Sequence, residues 1–193
     1  ANFKLNAKNR IYFSGYFGRD VLGFSNSFGI DWGNATATLR WNSIINQKLF
    51  SNTSLIYSKY NYNIKIKNGE TDFNISSNIR DWNLKQDFTF YLNPKNAMRF
   101  GVNAIHHTLA PSSFTGTVNN SIAKQGRQSL ENAFYVNNNY KATEKLTIDY
   151  GLRLSAYTLL GGTTYNIYNN KGAKTDSVVL ASGQAGPRPS PRW

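Results

Sequence analysis

The sequence contains no cysteine, which excludes a disulfide framework and a cysteine-based zinc site. It also lacks any apolar run approaching the ~18 residues that a membrane helix needs. Only 40% of its 193 residues are hydrophobic, and its mean hydropathy is −0.50. A helix-oriented reading of these values gives a soluble protein. That reading fails where strands cross, because a wet row then alternates with each apolar row and halves its signal. Acidic residues are scarce, 10 against 22 Lys and Arg, leaving a net charge of +12. Such a balance raises nucleic acid and anionic membranes as partners. No phosphate-binding loop, Gly-x-Gly-x-x-Gly or Gly-x-Ser-x-Gly is present. Ala1-Asn-Phe-Lys4 lacks the charged region and apolar core of a secretory signal, so either a signal was removed or the chain begins within a longer protein.

What the chain does have is aromatic residues, 15% of the total, and long two-faced segments. Leu146–Leu160 is the clearest. Its even positions are Leu146, Ile148, Tyr150, Leu152, Leu154, Ala156, Thr158 and Leu160; its odd positions are Thr147, Asp149, Gly151, Arg153, Ser155 and Tyr157. Successive side chains of a strand point to opposite faces, so this segment predicts one apolar and one wet face. It far exceeds the usual strand of roughly 5–6 residues. A membrane-crossing strand of about 9–11 residues with an overhang accounts for the length.

Similar alternation recurs along the chain. Asn2–Ala7, Ile11–Arg19 and Gly33–Asn42 read as strands, the last setting Ala35, Ala37, Leu39 and Trp41 against Asn34, Thr36, Thr38 and Arg40. Leu49–Lys67 changes phase midway, which predicts a bulge. Asn68-Gly69 predicts a hairpin turn. Phe73–Leu92, Ala97–His107 and Ser129–Tyr140 follow. The connections alternate in length. Those near 8–10, 43–48, 93–96 and 141–145 are short; Asp20–Asp31, Thr108–Gln128 and Gly161–Gly186 are long, the last with a hairpin at Tyr165–Tyr168 and Ser177–Leu180. Short turns at one rim and long loops at the other characterise outer-membrane barrels. A soluble β-sandwich has no reason to segregate its loops this way.

The wet rows carry Arg40, Lys85, Arg99 and Arg153 against Asp81, Asp87, Glu131 and Asp149, a nearly neutral wall on which Asp149 and Arg153 are expected to pair. The excess positive charge lies at the turns, in Lys8, Arg10, Lys48, Lys95, Lys141 and Lys145, facing anionic headgroups, lipopolysaccharide phosphates or solvent. Bases and aromatics occupy opposite faces of the same strands, which disfavours nucleic acid. The adjacent His106 and His107 point to opposite faces and cannot chelate one metal together. The carboxylates read as ion-pair partners rather than acid–base catalysts. No enzyme, metal site or cofactor is expected.

The run Arg19-Asp20 … Asp31-Trp-Gly-Asn-Ala-Thr-Ala-Thr-Leu-Arg-Trp-Asn42 resembles the barrel of TonB-dependent receptors, particularly those with a carboxypeptidase-regulatory-like extension. Leu49–Tyr62, Asp81–Asp87, Phe100-Gly101 with Ala110-Pro111, and Tyr150–Arg153 continue it in order. Gly186-Pro-Arg-Pro-Ser-Pro-Arg-Trp193 departs from it, since Pro189 and Pro191 fall where lipid-facing residues belong. The family's barrel has about 22 strands around a plug. The resemblance therefore implies that residues 1–193 are the middle of a receptor β-barrel, an all-β antiparallel segment of about eight or nine long strands, without its plug.

It further implies an outer-membrane location and uptake of a bulky ligand such as a siderophore or glycan. Implied partners are outer-membrane lipids and lipopolysaccharide, the TonB-type coupling complex acting through the plug, and a surface lipoprotein. From this topology, the candidate ligand contacts are Trp32, Tyr165, Asn166 and Tyr168 in outer loops and Arg99 and Arg153 on the lumen wall; Asp81, Lys85, Asp87, Glu131 and Asp149 form lumen ion pairs. Two other readings remain, a complete eight-stranded barrel with a structural or adhesive role and a soluble carbohydrate-binding sandwich.

Overall fold

The period-two pattern becomes ten strands in the structure, a computed structural model that describes residues 1–24, 27–68, 71–116, 126–161, 164–169 and 173–179. They are β1 (Asn2–Lys4), β2 (Asn9–Phe24), β3 (Phe28–Ile44), β4 (Leu49–Asn68), β5 (Thr71–Asn93), β6 (Asn96–Gly116), β7 (Arg127–Lys141), β8 (Thr147–Leu160), β9 (Thr164–Tyr168) and β10 (Lys174–Val179). Strands β1 to β8 pair in chain order into one antiparallel sheet, while β9 and β10 form the expected separate hairpin. The sheet is not closed: β1 and β8 each have a neighbour on one side only. Its strands reach 20 residues in β4 and 23 in β5.

Directly opposed residues in an antiparallel pair share a face. One row therefore runs Ile11–Trp41–Thr53–Gln86–Val102–Phe134–Leu154, and the next runs Phe13–Leu39–Leu55–Leu84–Ala104–Asn132–Ala156. Gln86 is polar on this apolar face, but its neighbours satisfy it: Thr53 Oγ1 donates to Gln86 Oε1 at 2.6 Å, and Gln86 Nε2 donates to Ser51 Oγ at 2.7 Å. In the rows flanking these two, Phe88 and Phe100 stack at 5.2 Å and Tyr57 tilts against Trp82 at 4.8 Å. The opposite face carries Arg40, Lys85, Asp87, Tyr135 and Arg153.

Among the described residues, nothing covers the apolar face. Among the described residues the only buried hydrophobic one is Ala133, whereas Phe17 is 75% exposed, Leu152 63% and Leu154 62%. The accessible surface is 14072 Å², against ~9,300 Å² for a compact monomer of this mass. Leaving such a face in water forgoes the main stabilising contribution to a fold. No helix among the described residues is long and apolar enough to cross a membrane, which says nothing about strands.

The structure corrects three expectations. Asp20–Asp31 is not a long loop: β2 and β3 zip together from Asn9↔Ser43 to Phe24↔Phe28. Thr108–Gln128 is likewise strand as far as Gly116 and again from Arg127. Gly, Asp, Ser and Asn imply loop only where backbone groups lack ladder partners, and here the partners are present. Strand β4 contains no bulge. The irregularities lie between β5 and β6, at Tyr91/Asn93 beside the turn and where Ser76↔Ser113 and Asn78↔Ala110 leave one extra residue on β6 around Pro111. The phase change in β4 is instead a change in which face is apolar. Beyond the row Phe17–Ala35–Lys59–Arg80, apolar residues move to the other face, as Leu22–Ile30–Ile64–Ile75 and Phe24–Phe28–Ile66–Phe73. Gly69 and the proline-rich end, including Trp193, lie outside the described residues.

The extended β2–β3 end is clasped by Arg19, whose Nε donates to Asp31 Oδ1 at 2.9 Å while Nη2 reaches the second carboxylate oxygen. Hydrogen bonding from Arg19 holds the Asp31 carboxyl below its usual range. A depressed carboxylate stabilises the fold fully above the ordinary Asp range and loses that contribution as pH falls through the folded value. Asp31→Asn at neutral pH is therefore expected to accelerate amide hydrogen exchange a few-fold at the Phe24–Phe28 end and leave the Asn9–Ser43 end unchanged. Acidification should abolish the difference between wild type and variant; equal exchange at neutral pH would remove the clasp from the account.

Candidate functional site: the polar wall

The wet face gathers its charge around Gly101. Asp87, Gly101, Tyr135 and Arg153 form one row across β5, β6, β7 and β8, with Lys85 and Asn103 in the adjacent row. Tyr135 lies across β6 and donates its hydroxyl to Asp87 Oδ1, two strands away. Strands are spaced about 4.8 Å apart, so this reach requires the phenol to pass directly over residue 101. A Cβ at that position would overlap the Gln86 backbone carbonyl and stand 2.7 Å from the Tyr135 hydroxyl oxygen and 3.0 Å from Cζ. Glycine is required there by close approach. The same pairing occurs within β2, where a Cβ on Gly18 would meet the Tyr16 hydroxyl at 2.5 Å.

Two cations flank the Tyr135 ring, Lys85 Nζ and Arg153 Cζ, each 5.8 Å from its centroid. Lys85 also pairs with Asp87 at 3.2 Å, and Arg153 approaches Glu131 at 3.9 Å while its Nε donates to Ser155 Oγ at 3.2 Å. The cluster thus holds two positive and two negative groups, all half-exposed. In such surroundings each pair contributes little individually. Its effect is to fix the side chains that face the water. One strand end away, His107 Nδ1 lies 2.9 Å from Asp81 Oδ1, while His106 lies on the apolar face opposite Trp82 and Leu130.

Asp81, Lys85, Asp87 and Glu131 thus all fall within this wall. Asp149 does not pair with Arg153, correcting that expectation. They are four residues apart on one strand, ~13 Å at the usual rise, and Asp149 instead accepts from Asn139 Nδ2 at 2.8 Å. Of the candidate ligand contacts, Arg153 belongs to the cluster, and exposed Arg99 lies two residues from Gly101 on the same face. Trp32 is in strand β3 rather than in a loop, level with Tyr62, beyond the charged cluster. Tyr165, Asn166 and Tyr168 belong to β9, in the separate hairpin. The six candidates therefore do not form one site.

Sequence reading missed Tyr135 as the centre of the wall. Its signal was a tyrosine in the wet row of Ser129–Tyr140, but only pairing reveals that a glycine lies between it and Asp87. Asn83 Oδ1, Asn103 Oδ1 and Ser129 Oγ are buried with no hydrogen-bond partner. Buried acceptors of this kind are completed by ordered water or a hydroxyl-bearing solute. Among the described residues no cluster of His, Cys, Asp or Glu is placed to hold a metal ion. Comparison with protein-family models, curated proteins and solved structures finds no match.

Gly101→Ala is expected to destabilise the chain by about 1–3 kcal/mol through overpacking. Removing the hydroxyl in Tyr135→Phe should cost about 1 kcal/mol. Because the added methyl meets the Gln86 carbonyl as well as the phenol, only part of its cost is shared with Tyr135, and the double variant should lose slightly less than the sum. Urea unfolding in detergent micelles measures all three, and strict additivity would show that Gly101 does not serve Tyr135.

Proposed function

We propose that the chain is part of the wall of an outer-membrane TonB-dependent receptor that takes up a bulky ligand such as a siderophore or glycan. The observation carrying the membrane part of this reading is the bare apolar face of a single antiparallel layer. Its width fits: Ile148 to Leu160 spans roughly 40 Å along β8, or roughly 30 Å across a bilayer at the usual tilt of about 35–45°. Trp41 and Tyr150 near the turn rim hold their polar ends in hydrogen bonds, to Asn9 Oδ1 at 3.0 Å and from Asn138 Nδ2 at 2.9 Å. Aromatics with one apolar and one bonded end suit a membrane interface.

The receptor part rests on the resemblance of Arg19–Asn42, Asp81–Asp87 and Tyr150–Arg153 to that family. It agrees with unpaired edges at β1 and β8, which further barrel strands would cover. A carbohydrate-binding sandwich would need a second sheet over Leu84, Phe134 and Leu154, and the described residues supply none. In this reading the polar wall lines a wet lumen, and coupling partner, plug and surface lipoprotein act from outside these residues.

Single-tryptophan variants refolded into vesicles with brominated acyl chains test the assignment of faces. Trp41 and Trp82 should be quenched and Trp32 spared. Leu154→Arg should cost about 2–4 kcal/mol in the bilayer, whereas Ser155→Arg on the wall should be nearly neutral. A chain folded and monomeric without detergent, with all three tryptophans equally quenched, would overturn the membrane reading.

A further inference from the structure

The four connections at one rim are the same turn repeated. Asn6-Ala-Lys8, Asn46-Gln-Lys48, Asn93-Pro-Lys95 and Thr143-Glu-Lys145 each place a lysine two residues after a side-chain oxygen. That oxygen accepts from the lysine's backbone N–H, at 2.9 Å in the three asparagine turns and 3.3 Å in the threonine turn. Asn46 and Thr143 each accept a second backbone N–H, from Leu49 at 2.9 Å and from Leu146 at 3.0 Å. The turn is thus built by the small polar residue and the backbone. The lysine side chain contributes nothing to it.

All four lysines are exposed and, among the described residues, none forms an ion pair. Consecutive turns are two strands apart, so the cations recur every ~10 Å along the rim. Each turn also exposes an apolar residue beside its lysine: Leu5, Ile45, Leu92 and Leu146. Lys48, Lys95 and Lys141 converge on a cleft of about 600 Å³ between the middle turns, shared with Tyr91 and Asn139. Against these stands one turn carboxylate, Glu144, since Asp149 is bonded to Asn139.

We infer that Lys8, Lys48, Lys95 and Lys145 form a docking row for the phosphates of anionic glycerophospholipid headgroups in the leaflet at the turn rim. The inference rests on the membrane reading above and adds a lipid class and a side to it. Charge complementarity and continuity with the apolar face support it: a side chain that enters the hydrocarbon edge sits next to one that reaches the phosphates. Lysine, a hydrated point charge on a flexible stem, suits a fluid headgroup layer better than a fixed bidentate acceptor. A nucleic-acid strand would need stacking aromatics among these bases, and the turns themselves contain none.

The test compares refolding into zwitterionic phosphatidylcholine vesicles and into vesicles that also contain phosphatidylglycerol. Wild type is set against Lys8→Gln/Lys48→Gln/Lys95→Gln/Lys145→Gln, and against Lys59→Gln/Lys65→Gln/Lys67→Gln/Lys174→Gln, which removes equal charge elsewhere. The turn variant is expected to lose on the order of 100-fold in partitioning to the anionic vesicles. Wild type should lose much of its preference in high salt, and replacing the four turn lysines by arginine should retain it. Equal losses in the two quadruple variants, or a wild type indifferent to phosphatidylglycerol, would overturn the inference and leave the membrane reading intact. Failure to enter either vesicle would overturn both.

Discussion

The constraint on which the rest of this structure depends is that its apolar side chains have no counterpart within the described chain. An ordinary domain is held together because two apolar surfaces exclude water from each other. Among the described residues the second surface is missing, and eight strands are held by the backbone ladder and by side-chain contacts between neighbouring strands. Backbone hydrogen bonds contribute little net stability in water, because unfolded amides bond to solvent equally well. In a medium without water the same ladder becomes obligatory, since each broken bond leaves a group with no alternative partner. A single-layer sheet with Leu152 and Leu154 bare is therefore unfavourable in one solvent and natural in the other. That contrast is what supports the membrane reading proposed above, independently of any family resemblance.

The opposite face solves a different problem. A wet wall needs polar groups that stay in place without a core to pack against. Tyr135 does this by spanning a strand: its ring covers Gly101, its hydroxyl binds Asp87, and Lys85 and Arg153 settle beside its faces. One aromatic ring thus couples four strands, beyond the pairwise side-chain contacts between neighbours. The charges balance locally, so the wall presents hydrogen-bonding groups of both kinds without a strong field of one sign. In the proposed receptor reading, such a surface would suit passage of a polar solute better than tight capture of a highly charged one.

How much of this was legible in the sequence follows from the range of each interaction. Alternation has period two and belongs to one strand, so Leu146–Leu160 announced its two faces at once. The turns at 93–96 and 141–145 were equally plain, since Asn-x-Lys and Thr-x-Lys make their bonds within three residues. Properties that depend on two strands were hidden. Asp20–Asp31 looked like loop because its residues are small and polar, yet pairing with the facing strand supplies ladder partners as far as Phe24↔Phe28. Asp149 and Arg153 looked like partners because they share a face, but Glu131, one strand over, lies nearer to Arg153 than a residue four places along the same strand. The Tyr135–Gly101–Asp87 row spans three strands, and no spacing along one chain encodes it.

The reversal of faces beyond Lys59 and Arg80 connects these points. Below that level the apolar rows lie on the face shared by Phe13, Leu84 and Leu154; above it they lie on the face shared by Ile30, Ile64 and Ile75. Strands β3 and β4 pass through the change without a bulge between them, so the backbone continues and only the surroundings switch. If one solvent covered the whole sheet, a strand would gain nothing by reversing its pattern midway. In the membrane reading proposed above, a reversal at the same level in neighbouring strands corresponds to a boundary between two environments, crossed by the strands at that height. The turn rim, with its repeated lysines, lies wholly on one side of this level, and the extended ends lie on the other. That asymmetry gives the sheet a direction, and it places Trp32 with the extended ends, away from the ion pairs of the wall.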